Sequence, residues 1–420
     1  MTSSLKIPKT KMKPILVMLV CLGGATLYAS PASAQDGEGK RFSNLRSARA
    51  AVVQAEAETP AENDKIIGLR EMYGIKQSFA GDSVGAMATM DQVRYAKGHR
   101  LAGDAAEISK YDDAAAEDAI KAIVETARNK RAVLINESHH IPMHRAFAQK
   151  LAKELHKIGF NYLACETFQM EVSEQPKYIA EEHGFYTREP VFAGFVNSAL
   201  ADGWKLVPYE SEEYDENASM EEQSRLREVV QAKNLYERIF AKDKNAKALI
   251  YVGYGHLAKT SKSPALQMMM GTLLRQRLGE NTTLHVDQER FHAHADRSRE
   301  LPLYRPLLAK FPSDKPFVLR RKDGTIPVLA GYEYYVDMQV IFPDYGLANG
   351  RPQWLSTLAD RTAQTIPANL LPTKGERLIL AYGKQHGPDA VPIDAVLVEA
   401  GKPAPALMLP KGDVRLETQD

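Results

Sequence analysis

From about residue 116 onward, short apolar runs alternate with amphipathic stretches. Residues 116–127 have helical periodicity, with Ile120, Ile123 and Val124 on one face. An apolar run at 132–135 follows, then a predicted helix over 144–157 in which Phe147, Leu151 and Leu155 recur every fourth position. Residues 161–165 and 205–209 read as two more strands. A long helix is predicted over 220–240 and a fourth strand over 246–252. A Met- and Leu-rich helix over 264–278 and a fifth strand over 282–286 complete the series. Short apolar strands separated by amphipathic helices predict an α/β fold, a mainly parallel sheet with helices on both faces. The run Met268–Met270 fits core packing better than a metal or haem site.

The flanks have a different texture. Beyond residue 300 prolines become frequent (Pro302, Pro306, Pro312, Pro316, Pro327), and 317–320, 336–342, 377–382 and 395–398 look like strands. Residues 301–420 therefore read as a β-rich C-terminal extension to an α/β domain over 116–300. Residues 35–115 form a polar, partly helical region, and 35–65 look like a flexible leader or a helix with little core to join. The first 34 residues read as a secretory signal peptide: Lys6, Lys9, Lys11 and Lys13 precede an uncharged apolar stretch over 15–28, and Ala32-Ser33-Ala34 offers small residues for cleavage. The apolar stretch is shorter than the ~20 residues a membrane span needs, so the expectation is an exported chain, periplasmic or secreted, with no transmembrane segment once the signal is removed.

Removing those 34 residues, with four lysines and no acid, takes the formal net charge from +1 to −3. A near-neutral chain gives no electrostatic case for nucleic acid or an anionic membrane. Cys165 is then the one remaining cysteine, so no internal disulfide is expected and a packed core must hold the fold.

Candidate chemistry gathers at the strand ends. The chain has eleven histidines, and three of them fall in Asn136-Glu-Ser-His-His-Ile-Pro-Met-His144, directly after the first strand. Glu137 and His139 end that strand, Glu166 ends the second, and the third runs into Glu210 and Glu212. The fourth ends in Gly253-Tyr-Gly-His256, and the fifth carries His285 and Asp287. In a parallel sheet these positions share one edge, where ligands of open α/β folds bind. Each has a plainer reading. An acid after a strand is often a helix cap, and His140 and His144 have the spacing of an ordinary helix face. Cys165 is expected to be a buried small hydrophobe, because strand alternation turns it away from Glu166. Arg227, Gln231, Asn234 and Arg238 form a polar stripe on the long helix, read as a solvated face or a contact to a neighbouring loop; the sharper reading brings Arg227 into the crevice to meet an anionic group.

The segment Asn136–His144 resembles the first motif of the haem-uptake, Tiki and ChaN-like superfamily, Gly-Glu-x-His followed by a proline and another histidine. Glu137, His139, Pro142 and His144 match in order. Val252-Gly-Tyr-Gly-His256 resembles the second motif, and Glu166 fits at the second strand. The related erythromycin-esterase-like proteins use Glu-x-x-His, which Glu137 and His140 satisfy. The resemblance covers about residues 116–290. It departs at Asn136, where the family has glycine, so the substrate class does not carry over.

What the resemblance implies is mixed, because its members include metal-dependent peptidases, lactone hydrolases and haem binders. The first expectation is an exported hydrolase of a small-molecule or peptide ester or amide, of esterase or peptidase type. Glu137 and Glu166 would orient or bind, His139 or His140 would be the general base, and His256 would stabilise the oxyanion or act as a second acid or base. A metal-assisted version would place zinc or manganese on Glu137, His139 and His256. The alternative is a non-covalent haem- or iron-binding protein with His139, His144 or Tyr254 as axial ligand. An inactive interaction module is a third expectation.

Overall fold

The computed structural model describes residues 18–20, 26–28, 41–58, 63–93, 104–213, 215–260 and 268–420. Most of the signal-peptide segment, with its cleavage site, lies outside the described residues; within it the backbone pairs Met18–Val20 with Thr26–Tyr28.

An eight-stranded sheet organises the chain. Its strands are β1 (Ala114–Asp118), β2 (Ala132–Glu137), β3 (Tyr162–Cys165), β4 (Lys205–Leu206), β5 (Ala248–Gly253), β6 (Thr283–Phe291), β7 (Phe317–Arg321) and β8 (Met338–Ile341). The spatial order is β1-β7-β8-β6-β2-β5-β3-β4. The six strands from β8 to β4 pair in parallel, while β7 and β1 add an antiparallel edge. The fold is thus α/β with a mainly parallel sheet, as the alternation of runs predicts.

Strand β2 lies at the centre, and all six of its residues are buried. Its period of two divides the core. Val133 and Ile135 join the larger cluster, with Phe147 and Leu151 of the helix Pro142–His156 and Phe192 and Phe195 of the helix Pro190–Ala201. Ala132 and Leu134 face the other cluster, with Leu235 and Leu274 from the helices Met220–Leu235 and Met270–Leu278. Burial of each large apolar side chain contributes about 1.5–3 kcal/mol, so the central strand is held firmly from both sides. Among the described residues no helix is long and apolar enough to cross a membrane.

Four features differ from the expectations. Residues 114–118 form a strand, and the predicted helix over 116–127 begins only at Ala119, where the Asp118 side chain accepts the amide of Lys121. The α/β unit does not stop at residue 300, because β7 and β8 return from beyond it to complete the sheet. The β-rich extension is real but starts later: Glu376–Gly383 pairs antiparallel with Asp394–Glu399 and Val414–Gln419, and Thr362–Gln364 with Leu407–Leu409. The helix Arg41–Glu58 does have a core to join. Its Phe42 and Leu45 pack on Leu378, Leu380 and Ala395, more than 300 residues away in sequence and so invisible to local pattern.

Candidate active site

The parallel register places Glu137 opposite Gly253 and Cys165 opposite Tyr251. The carboxyl ends of β2, β3 and β5 therefore meet, and Glu137, Glu166 and the 253–256 turn form one cluster.

Glu137 is buried and carries two partners. Arg145 grips it with two parallel bonds, Nε to Oε2 at 2.7 Å and Nη2 to Oε1 at 2.7 Å. His139 Nδ1 lies 2.9 Å from Oε1. Arg145, itself completely buried, also donates to the His139 carbonyl and to Glu189 and sits over the Phe192 ring. Burial opposes the charge on Glu137, but Arg145 and His139 outweigh it and hold the carboxyl below its ordinary range. The same ion pair drives the Arg145 guanidinium above its usual range against burial. With Nδ1 donating to the Glu137 carboxylate, Nε2 is the nitrogen that His139 presents to the site. That nitrogen has no hydrogen-bond partner among the described residues. The ring is stacked on Tyr186 at 3.8 Å and flanked edge-on by Tyr254 at 5.0 Å.

A second histidine mirrors the first. His256 Nδ1 lies 2.5 Å from Glu228 Oε1, and His256 Nε2 lies 3.4 Å from Arg227 Nη1 and 3.9 Å from Glu166 Oε1. Burial lowers the His256 pKa, but Glu228 and Glu166 more than restore it, so this ring keeps its proton to higher pH than an ordinary imidazole. Between the two rings stands Glu166. It accepts from Arg227 Nη2 at 2.9 Å and from the Gly253 amide at 2.5 Å. Burial is again the largest influence and acts upward, yet His256, His139 and Arg227 together pull Glu166 down to about 2.

Gly253 is required at this point for space. A Cβ there would lie 2.5 Å from His139 Cε1, 2.6 Å from His139 Nε2 and 2.8 Å from Glu166 Oε2. The same distances put His139 Nε2 and Glu166 Oε2 on either side of this one point, which only a residue without a Cβ leaves open. The sharp turn itself falls on Tyr254, at φ 40, rather than on the glycines, and Thr167 just after Glu166 is at φ 70. Left-handed backbone at non-glycine residues costs about 1–3 kcal/mol each and gathers at functional sites.

The polar stripe on the long helix is a docking face. Arg227 reaches the crevice, bridging Glu166 and Glu210. Gln231 donates to Glu210, Asn234 to the carbonyls of Tyr209 and Glu210, and Arg238 to that of Pro208. The anionic groups that Arg227 meets are the protein's own carboxylates. Arg145, Glu228 and Tyr186 were not singled out from sequence. Arg145 directly follows His144 and Glu228 follows Arg227, so a search for buried charges beside the motifs could have found both; Tyr186 lies in a loop with no such signal.

Other candidates fall elsewhere. Asn136 turns to the opposite face, donating to Asp287 and the Tyr254 carbonyl and accepting from the Gln288 amide; it staples β2 to β6 and leaves the pocket open. His285 is a core residue, held by the Leu257 carbonyl and Thr283, and Asp287 accepts from Gln339. Cys165 is a buried apolar-core residue whose thiol is pushed well up by burial. His144 is fully buried, accepts the Ser138 amide at Nδ1 and packs against His292 and Phe342. Pro142 takes the first position of its helix, where a missing N–H costs nothing. His140 belongs with His292 and His294 in its electrostatics more than with His139.

His140, His144 and His292 share a pH consequence. Burial, then neighbouring imidazoles, lower His140 and His144 well below 6.5 and His292 to about 3. The unfolded chain takes up these protons near 6.5 while the fold refuses them. Stability is therefore full above about pH 6.5 and is lost as pH falls, each group steepening the loss by up to about 1.4 kcal/mol per pH unit. Urea unfolding between pH 7 and 5 is expected to show this decline, and His144→Leu to flatten it by about one group's share; an identical slope in the variant would contradict the assignment.

The donor set does not suit a metal. Both oxygens of Glu137 are committed to Arg145, those of Glu166 to Arg227 and Gly253, and two guanidinium groups stand in the cluster. Among the described residues no group of three or more His, Cys, Asp or Glu side chains is placed to hold one. Haem finds no ligand in His144, which is sealed in the core.

No family model and no curated protein sequence matches this chain. Among solved structures, the type III effector HopBA1 is 15% identical over 42% of this chain and 84% of its own, with a TM-score of 0.28. A bacterial protein toxin structure is 12% identical over 58% and 56%, with a TM-score of 0.30. RRSP, a MARTX toxin effector domain from Vibrio vulnificus CMCP6, is 12% identical over 49% and 46%, with a TM-score of 0.25. The chain spans about half the length of the latter two. Likeness at this level carries no argument about function.

Proposed function

We propose that this protein is an exported hydrolase that cleaves an ester or amide bond by metal-free acid–base chemistry. One observation carries the reading: His139 and His256 each set Nδ1 against their own glutamate and flank Glu166, with Arg227 Nη1 beside His256 Nε2. His139 Nε2 takes a proton from a water, which attacks the acyl carbon, and Glu137 stabilises the imidazolium that forms. Arg145 keeps Glu137 ionised throughout. Glu166 orients the water from beside Nε2. Arg227 and His256 supply positive charge for the developing oxyanion, and His256 can return a proton to the leaving group. The motif resemblance supports kinship with the Tiki and ChaN-like superfamily on its esterase side. Neither metal nor haem binding gains support from the site. The test is hydrolysis of a panel of aryl esters, lactones and peptide amides by the wild type and by His139→Gln. A substrate whose turnover needs His139 supports the proposal; turnover of every responsive substrate at the wild-type rate in the variant overturns it.

A further inference from the structure

A second site lies beyond the 138–141 loop, and nothing in it depends on the hydrolase reading. The helix Ser83–Asp91, the segment 293–295 and the segment 343–347 line a half-open cavity of about 190 Å³. Its walls are apolar, with Met87, Ile141, Met143 and Trp354. An engineered apolar cavity of about 150 Å³ takes a benzene ring, so this one has room for a substituted six-membered ring. Val84 and Leu347 also line it and are 46% and 58% exposed, two of the exposed large apolar side chains among the described residues.

Three uncharged polar or imidazole side chains line this space, Ser83, Tyr345 and His294, and His294 is the one held in a fixed orientation. His294 lines the cavity, and its Nδ1 lies 2.6 Å from Oδ1 of the buried Asp91, whose other oxygen accepts the Asp296 amide. His292 stacks on the ring at 4.4 Å and fixes its plane. With Nδ1 donating to Asp91, Nε2 is the ring nitrogen left to accept. Nε2 has no hydrogen-bond partner among the described residues. The cavity's other ionised wall group is Asp344, paired with Arg305, which also binds Glu300. With Asp91 and Asp344 at its edges the cavity disfavours an anion.

The geometry points to a binding site for a small neutral molecule with a ring-sized apolar body and one hydroxyl, a phenol or cyclic alcohol, whose O–H is donated to His294 Nε2. The probes are p-cresol, toluene and p-toluate, titrated calorimetrically into the full chain and followed by fluorescence of Trp354 in a Trp204→Phe background. Saturable binding of p-cresol is expected, about tenfold tighter than toluene and tighter still than p-toluate. His294→Phe should bring p-cresol down to the level of toluene. Met87→Trp fills the cavity while leaving the Asp91–His294 pair intact, and should abolish binding of all three. No saturable p-cresol binding, equal affinity for the three probes, or undiminished binding in a folded Met87→Trp variant would each overturn the assignment.

Discussion

Replacing His139 with glutamine is expected to slow hydrolysis of any ester or amide this protein cleaves by about 10²–10⁴-fold, the contribution of a positioned general base. The loss should fall on kcat, because Nε2 acts on the attacking water rather than on the bound substrate. Glutamine keeps a polar side chain of similar reach against Tyr186 and Glu137, so the fold is expected to survive and thermal melting serves as the control. Glu137→Gln should lower kcat as well: the neutral amide still fills the site but no longer fixes the Nδ1 proton or stabilises an imidazolium. Activity on a His139-dependent substrate should also persist in the presence of chelator, because Arg145 and Arg227 stand where a cation would have to bind. A His139→Gln variant with an unchanged kcat would reduce the ring to packing between Tyr186 and Tyr254.

The second large effect concerns stability. Arg145→Ala is expected to cost about 3–5 kcal/mol, the range for removing one partner of a buried ion pair. The arginine is wholly buried and answers two carboxylates, Glu137 and Glu189, as well as the His139 carbonyl. Its loss leaves both acids in an apolar core, and burial already raises the Glu189 pKa despite Arg145. Arg145→Lys should recover little, since one ammonium cannot make the parallel pair of bonds. Adding Glu137→Gln to Arg145→Ala should cost less than the two changes apart, because the charge left stranded by the first is removed by the second. Urea unfolding of the four proteins measures this; a single variant within about 0.5 kcal/mol of wild type would show that the cluster does not hold the fold.

Much of the fold could be read from the chain because buried parallel strands are short apolar runs and their crossover helices carry a visible stripe. The runs at 132–135, 161–165 and 246–252 lie on strands within a few residues. What failed was order at a distance. Nothing local in 317–321 or 338–341 says that these strands join a sheet begun two hundred residues earlier, and Ala114–Asp118, with no β-branched or large apolar residue, is a strand because β7 pairs with it. The long helix over 220–240 was read as one element, and its end is a π-helical turn at Tyr236–Phe240.

The site divides in the same way. Glu137, His139, Glu166 and His256 could be named because each follows an apolar run at once, and the register of β2 on β5 then brings them together. His140 and His144 shared the motif but not the crevice: a loop and the first turn of a helix rotate them toward His292 instead. Arg145 was missed because a basic residue on a helix reads as solvated until the helix is seen to bury that face. Gly253 leaves the space between His139 and Glu166 that any side chain would fill.

The most direct check needs no substrate. Long-range proton–nitrogen correlation NMR of the imidazole rings, assigned with His139→Gln and His256→Gln, reports which nitrogen of each ring carries the proton. His139 is expected as the Nδ1–H tautomer, and His256 is expected to keep its second proton to higher pH than an ordinary imidazole. An Nε2–H tautomer at His139 would leave no lone pair facing Glu166 and Gly253, and acid–base catalysis from this pair of rings would be ruled out.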